Sequence, residues 1–210
     1  MAAENPADFP GAVRELVAGP TEWVKLNTFA DMIRDEGELR GLIGPRELPR
    51  LWSRHLINSL ALTNFIPQGA DVCDVGSGAG FPGLVLAISR PDLEVTLVEP
   101  MERRVNWLHD AISATGVGNV QVIRGRAEEV AGGLEFSIVT ARAVAALDKL
   151  LRWTWPLVAP GGAVLAMKGE RAQEEVDSAL KVLRKFKVSA EVHSVESPLD
   201  GTRTNIVEVR

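Results

Sequence analysis

From residue 70 onward the chain alternates short apolar runs with amphipathic stretches, and this alternation limits the folds open to it. Strands are expected at 71–75, 94–99, 119–124, 135–140 and 162–168. Helices are expected between them, near 82–90, 101–115, 126–131 and 143–155. The second is amphipathic through Val105, Leu108 and Ile112. A further helix is expected at 171–186, with Val176, Ala179, Leu180 and Leu183 on one face. Two last strands, 187–196 and 203–209, flank Ser197-Pro198-Leu199-Asp200-Gly201, which has turn chemistry and points to a hairpin at the sheet edge. Such alternation implies an α/β fold with a seven-stranded, mostly parallel, Rossmann-like sheet and helices on both faces. Ligands in these folds bind beyond the C-terminal ends of the strands.

The part before the alternation reads differently. An N-terminal helical extension is expected over 1–66, ahead of a sheet domain over 67–210. Its first forty residues suggest one or two amphipathic helices. A clearer helix runs from Pro49 to Asn64, where Leu48, Leu51, Trp52, His55, Leu56 and Leu60 share one face. Arg50 and Arg54 lie on another face. His55 is expected to be a hydrogen-bonded packing residue rather than a catalytic one. Trp153 and Trp155 are expected to pack. Charge is uneven: residues 1–39 carry eight acidic and three basic side chains, while Arg40, Arg46, Arg50 and Arg54 face Glu47 alone over residues 40–55.

The net charge of −5 argues against a basic coat for nonspecific nucleic-acid binding, yet it permits a local basic face. No apolar run is long enough to span a bilayer, and no signal-like N-terminus is present, so a cytoplasmic location is expected. The single cysteine, Cys73, lies within the first strand. With three scattered histidines it forms no zinc pattern, so no metal is expected.

Between the first strand and its helix lies Asp74-Val75-Gly76-Ser77-Gly78-Ala79-Gly80-Phe81-Pro82-Gly83. A glycine-rich turn at this place lets backbone approach a nucleoside closely. Two frames compete. Gly78, Gly80 and Gly83 satisfy the dinucleotide fingerprint, but four residues past Asp74 and with Pro82 in the phosphate-binding turn. The pattern Asp-x-Gly-x-Gly-x-Gly instead resembles the S-adenosylmethionine (SAM) loop of class I methyltransferases. Asp74, Gly76 and Gly78 are the binding candidates in that frame. Glu99 ends the second strand 23 residues after Gly76, where a carboxylate accepts ribose hydroxyls in either frame. Its plainer reading is a favourable charge near a helix start. Ala127 and Glu128, after the third strand, sit where an adenine edge would lie; two acids in a first helical turn are also ordinary capping chemistry.

The acceptor side is read partly from absences. No Pro-Pro pair occurs, so the motif usual for methylation of exocyclic base amines is missing. Cys73 precedes the loop, so covalent catalysis on pyrimidine carbon is not expected. An acceptor with a free lone pair, such as guanine N7, needs no general base. Arg142 and Lys168 stand at adjacent strand ends beside the expected cofactor mouth, where cations favour phosphate or base-oxygen contacts. A solvated charge is the plain alternative for each. Arg50 and Arg54 extend that patch.

These motifs together carry a resemblance. Gly44-Pro45-Arg46-Glu47, Arg54-His55-Leu56-Ile57-Asn58-Ser59, the glycine loop, Arg124-Gly125-Arg126-Ala127-Glu128-Glu129, Arg142-Ala143-Val144-Ala145-Ala146-Leu147 and Lys168-Gly169-Glu170-Arg171 are similar to the bacterial 16S rRNA (guanine-N7) methyltransferase family known as RsmG or GidB. The wording is closest to its actinobacterial branch, and the likeness runs from about residue 40 to the end. The family usually has leucine at Phe81, aspartate at Asn58 and serine at Ala141. The resemblance implies a class I SAM-dependent fold that methylates a guanine N7 in the decoding-region loop of 16S rRNA, by direct displacement and with S-adenosylhomocysteine as product. It implies SAM contacts at Gly76, Phe81, Ala127, Glu128 and Arg142. It also implies 16S rRNA or the 30S subunit as partner; from the placement of the strand-end cations and the basic patch, Arg50, Arg54, Arg142 and Lys168 are the expected RNA contacts and Arg142 and Lys168 the expected catalytic pair. A monomer with no membrane partner is expected. Two further readings stand beside it: a nicotinamide-dependent oxidoreductase using the second glycine frame, and a non-enzymatic ribosome assembly factor retaining the fold.

Overall fold

A computed structural model describes residues 14–210. Seven strands form one sheet: β1 (Asp71–Val75), β2 (Glu94–Glu99), β3 (Val120–Arg124), β4 (Phe136–Arg142), β5 (Val158–Lys168), β6 (Ala190–Glu196) and β7 (Arg203–Val209). Their order is β3-β2-β1-β4-β5-β7-β6. The first five are parallel, and β6–β7 form the expected antiparallel hairpin at one edge. β1 and β2 are buried beyond their first residues, as strands covered on both faces must be. The chain moves outward from β1 through β2 to β3, then returns to β4 on the other side of β1. That reversal opens a crevice at the C-terminal ends of β1 and β4.

The helices are α1 (Pro20–Glu36), α2 (Gly83–Ser89), α3 (Glu102–Thr115), the short α4 (Ala127–Val130), α5 (Leu147–Thr154) and α6 (Ala172–Phe186). Two cores result, one on each face. One joins α1, α2 and α3 with the inward side chains of the sheet, around Phe29, Trp52, Leu84 and Trp107. The other joins α5 and α6 around Leu147, Leu151 and Val176. In α1, Leu26, Phe29, Ala30 and Ile33 recur at helical spacing and are buried, so the N-terminal segment shares a core with the sheet. Any helix expected before residue 14 falls outside the described residues. α3 stops where Gly116 adopts φ +61°, with its N–H bonded to Ile112 O at 3.0 Å. Trp153 and Trp155 pack against the second core as expected.

Three expectations need correction. The helix expected over 49–64 is a chain of short turns: 3-10 at Leu48–Arg50, π at Trp52–Ile57, α at Asn58–Leu60 and 3-10 at Ala61–Phe65. Side chains compete for its carbonyls. Asn58 Nδ2 donates to Arg54 O at 3.0 Å and Ser59 Oγ to His55 O at 2.6 Å. The helix expected from 143 begins only at Leu147, leaving residues 143–146 as a loop with Ala143 at φ +56°. Leu180 is exposed; the buried stripe of α6 runs through Ala172, Val176, Ala179, Val182 and Leu183.

Candidate active site

The loop after β1 is built to turn sharply. Gly76, Gly78 and Gly80 adopt φ of +73°, +57° and +106°, a region costly for other residues. Trp107 of α3 donates from Nε1 to Ala79 O at 3.0 Å and ties the loop to the helix behind it. The Glu99 carboxylate, buried at the end of β2, braces the turn from the front. One oxygen accepts Gly78 N–H and the other Met101 N–H, both at 2.9 Å. Each oxygen keeps a further lone pair.

A cleft of about 400 Å³ opens here, lined by Gly76, Gly78, Phe81, Glu99 and Arg142 among the expected residues. Leu42, Ile43, Met101, Arg104 and Val144 complete it. Leu42 and Ile43 come from the turn after α1, and their spacing from the loop gives no sequence signal. Met101, two residues past Glu99, was accessible to the same strand-end argument. Ala127 and Glu128 are not among the lining residues: Ala127 packs into the second core, and Glu128 is exposed. Asp74 does not line the cleft either. It is fully buried behind the loop, where Oδ2 accepts Gly83 N–H at 3.0 Å and Oδ1 has no partner. Burial pushes its carboxyl up to about 6, against the Gly83 hydrogen bond.

The loop amides decide between the two glycine frames. A pyrophosphate needs free N–H groups at the turn and helix start. Here Gly80 and Phe81 donate to Ser77 O at 2.7 and 3.2 Å, Gly78 donates to Glu99, and Gly83 donates to Asp74. Pro82 has no N–H to offer. The residues fit a nucleoside with no phosphate. Glu99 lines the cleft with Arg104 Nη1 3.9 Å from its Oε2, apolar side chains stand beside it, and backbone at Gly76 comes so close to Val144 that an added Cβ would lie 2.8 Å from Cγ2.

Arg142, at the end of β4, stands where the cleft meets a second and wider groove of about 1240 Å³. Its guanidinium lies 4.8 Å from the Phe81 ring centroid, donates to His55 Nδ1 at 2.8 Å and to Arg54 O at 3.3 Å. Burial lowers its pKa to about 10, so it stays cationic at neutral pH. Arg50, Arg54 and Asn58 form one wall of the groove; Arg203 and Asn205 of β7 form the other. Arg203 carries no motif, and only the hairpin fold brings it here. Lys168 also borders the groove, but its charge is engaged within the protein. Its ammonium donates to Ala145 O at 2.6 Å and pairs with Glu175 at 2.8 Å, and the side chain is 8% exposed. His55 packs its ring on Phe81, with centroids 5.2 Å apart, and so lies at the site rather than away from it. Cys73 is buried in the second core, and burial raises its thiol far above neutral pH, which makes it no nucleophile. Among the described residues no group of three or more His, Cys, Asp or Glu side chains is placed to hold a metal. No described helix is long and apolar enough to cross a membrane.

The model for rRNA small subunit methyltransferase G (GidB) matches residues 22–204. The chain belongs to that family. It is 52% identical over 183 residues to ribosomal RNA small subunit methyltransferase G of Beutenbergia cavernae, covering 87% of this chain and 86% of that one. It is 50% identical over 182 residues to the protein of the same name from Pseudarthrobacter chlorophenolicus, covering 86% and 84%. Among solved structures, a SAM dependent methyltransferase from Aquifex aeolicus superposes with a TM-score of 0.57 at 19% identity, covering 82% of this chain and 96% of that one. This last likeness concerns the fold, a class I Rossmann-like methyltransferase sheet. Membership in the methyltransferase G family agrees with the motif resemblance and sets aside the oxidoreductase reading.

Proposed function

We propose that this chain transfers the methyl group of SAM to N7 of a specific guanine in the decoding-region loop of 16S rRNA, acting on the RNA or on the 30S particle. The observation that carries this reading is the junction at Arg142, where a nucleoside-sized cleft meets a groove walled by Arg50, Arg54 and Arg203. Three groups that could act as a base near Arg142 are engaged or withdrawn. His55 is tied between two partners, Asp74 is behind the loop and Lys168 is paired with Glu175. Guanine N7 needs none, since it attacks with a lone pair and has no proton to lose.

When bound, SAM supplies an electrophilic methyl group on a sulfonium. Gly76, Gly78, Phe81 and Glu99 would hold the nucleoside and amino-acid parts, and Arg142 would stand between the bound cofactor and the groove. The groove arginines take RNA phosphates, which position the chain without reading sequence. The A-form major groove is too narrow to expose N7 to a protein surface, so the acceptor is an unpaired or splayed guanine. Alignment of acceptor and donor is the main catalytic contribution, an effect worth up to roughly 7–11 kcal/mol in favourable cases.

The test is methyl transfer from labelled SAM to 30S particles or 16S rRNA from a strain lacking the modification, with nucleosides separated by mass spectrometry. N7-methylguanosine is expected. SAM binding without that product overturns the proposal, and tight particle binding without turnover favours an assembly factor.

A further inference from the structure

The Arg142 guanidinium does not stand alone. Its Nη2 lies 2.8 Å from His55 Nδ1, and His55 Nε2 lies 3.2 Å from Glu47 Oε2. Arginine only donates, so Nδ1 must present its lone pair. The imidazole proton therefore sits on Nε2 and is donated to Glu47. The three side chains form a directed line from the N-terminal segment to the end of β4, with one tautomer allowed.

We infer that His55 is a positioning residue for methyl transfer, fixing the Arg142 guanidinium at the junction of cleft and groove, while Glu47 holds the imidazole tautomer that presents Nδ1 to it. The inference rests on the reading of Arg142 in the proposed function. Several contacts make the placement specific. Glu47 Oε2 also accepts Arg54 Nε at 3.0 Å, and Arg54 O accepts Arg142 Nη1 at 3.3 Å. Phe81 packs against both Arg142 and His55, with its ring centroid 4.8 Å from the guanidinium carbon and its plane tilted 32° to the imidazole. Arg142 is thus held by its terminal nitrogens from one side and by a ring from another. All its hydrogen-bond partners among the described residues come from residues 54 and 55, outside the sheet, while the Asp74 carboxylate of β1 acts on it through charge alone.

The charged groups facing His55 are Arg142 from β4 and Glu47 and Arg54 from its own segment. Burial, then the Arg142 charge, lowers the His55 pKa to about 4, and the hydrogen bond to Glu47 only partly opposes this. His55 is therefore neutral across the working range and acts by geometry, not by moving a proton.

Asparagine and glutamine separate the two ends of the ring. In His55→Asn the amide oxygen falls near the place of Nδ1, keeping an acceptor for Arg142 and losing Glu47. In His55→Gln the amide reaches the place of Nε2, keeping Glu47 and losing Arg142. The experiment measures kcat/KM for methylation of 30S particles by the parent, both variants and His55→Ala, with melting curves for each. His55→Gln and His55→Ala are expected to lose about 10–100-fold, the scale of a misplaced catalytic group, while His55→Asn loses no more than about fivefold. Imidazole ¹⁵N spectra of the parent should show His55 protonated at Nε2, bare at Nδ1 and unchanged from pH 5.5 to 8. Equal activity of the Asn and Gln variants at parent-like stability overturns the inference, as does a titrating or Nδ1-protonated His55. A parent that forms no N7-methylguanosine overturns the functional reading instead, and the nitrogen spectra report the Glu47–His55–Arg142 geometry independently of turnover.

Discussion

Lys168→Met separates a chemical role for this lysine from a structural one. The ammonium bonds Ala145 O and Glu175, and the same carboxylate accepts Leu147 N–H at 2.9 Å. The result is a clamp from β5 through α6 to the loop 143–146, which carries Ala143 at φ +56° and sets Val144 over Gly76. Methionine keeps much of the volume and donates nothing. The lost bonds are charge-assisted, each worth about 1.5–3 kcal/mol. The Glu175 side chain is 30% exposed, so water recovers part of its share. The expected loss of stability is about 3 kcal/mol, against about 1 kcal/mol for Glu175→Gln. The double variant should cost about 1 kcal/mol less than the sum, because the two changes break one shared contact. Urea unfolding followed by tryptophan fluorescence gives these values, and calorimetry with SAM should show weakened binding as the loop loosens. Stability within about 0.5 kcal/mol of the parent, together with abolished methyl transfer, would refute the clamp and return Lys168 to direct contact with RNA.

Two further predictions concern the floor of the glycine loop. The Asp74 carboxyl keeps its proton up to about pH 6 when folded and releases it near 3.8 when unfolded, so the native state binds more protons between those values. Stability from this group is fully present below pH 3.8, falls as pH rises to about 6 and is flat above. Asp74→Asn, whose amide oxygen still accepts Gly83 N–H, should remove that slope, about 3 kcal/mol at its largest by the pKa difference. Parent and variant melting curves that stay parallel from pH 4 to 7 would exclude it. At Gly83 an added Cβ would sit 2.6 Å from Asp74 Cβ and Oδ2 and against Leu97, with no room to move. Gly83→Ala is expected to cost about 2–3 kcal/mol. Gly78→Ala meets nothing closer than 3.7 Å and bears only the left-handed backbone penalty, about 1 kcal/mol. Thermal melts showing the reverse order would contradict the packing described.

The sheet was readable because its strands obey a local rule. β1 and β2 are covered on both faces, so Val72, Cys73 and Val75 in one and Val95, Leu97 and Val98 in the other carry the strand signal, and the turns between elements carry their own. The loop 143–146 defeats the same method. Ala143-Val144-Ala145-Ala146 favours helix by composition, yet Lys168 holds Ala145 O and Glu175 claims Leu147 N–H. Two side chains remote in sequence override local propensity. The partners of Lys168 are hidden for the complementary reason: a charge at a strand end shows no partner in the sequence until α6 brings Glu175 to it. Arg203 and the Leu42–Ile43 wall belong to the site only through the hairpin and the turn after α1.

His55 shows where the two kinds of information meet. Helical spacing puts it on the packed face, and its ring does pack on Phe81. Spacing is silent about the two nitrogens, whose partners lie eight residues earlier and eighty-seven residues later. A periodic pattern reports which face is buried, while the direction of a hydrogen bond depends on what the fold places opposite. The polar partners of a buried residue are therefore set by the fold, and packing periodicity alone conceals them. Glu47 is the example in the inferred arrangement: a carboxylate in an ordinary surface turn, tied through one imidazole to Arg142 at the end of β4.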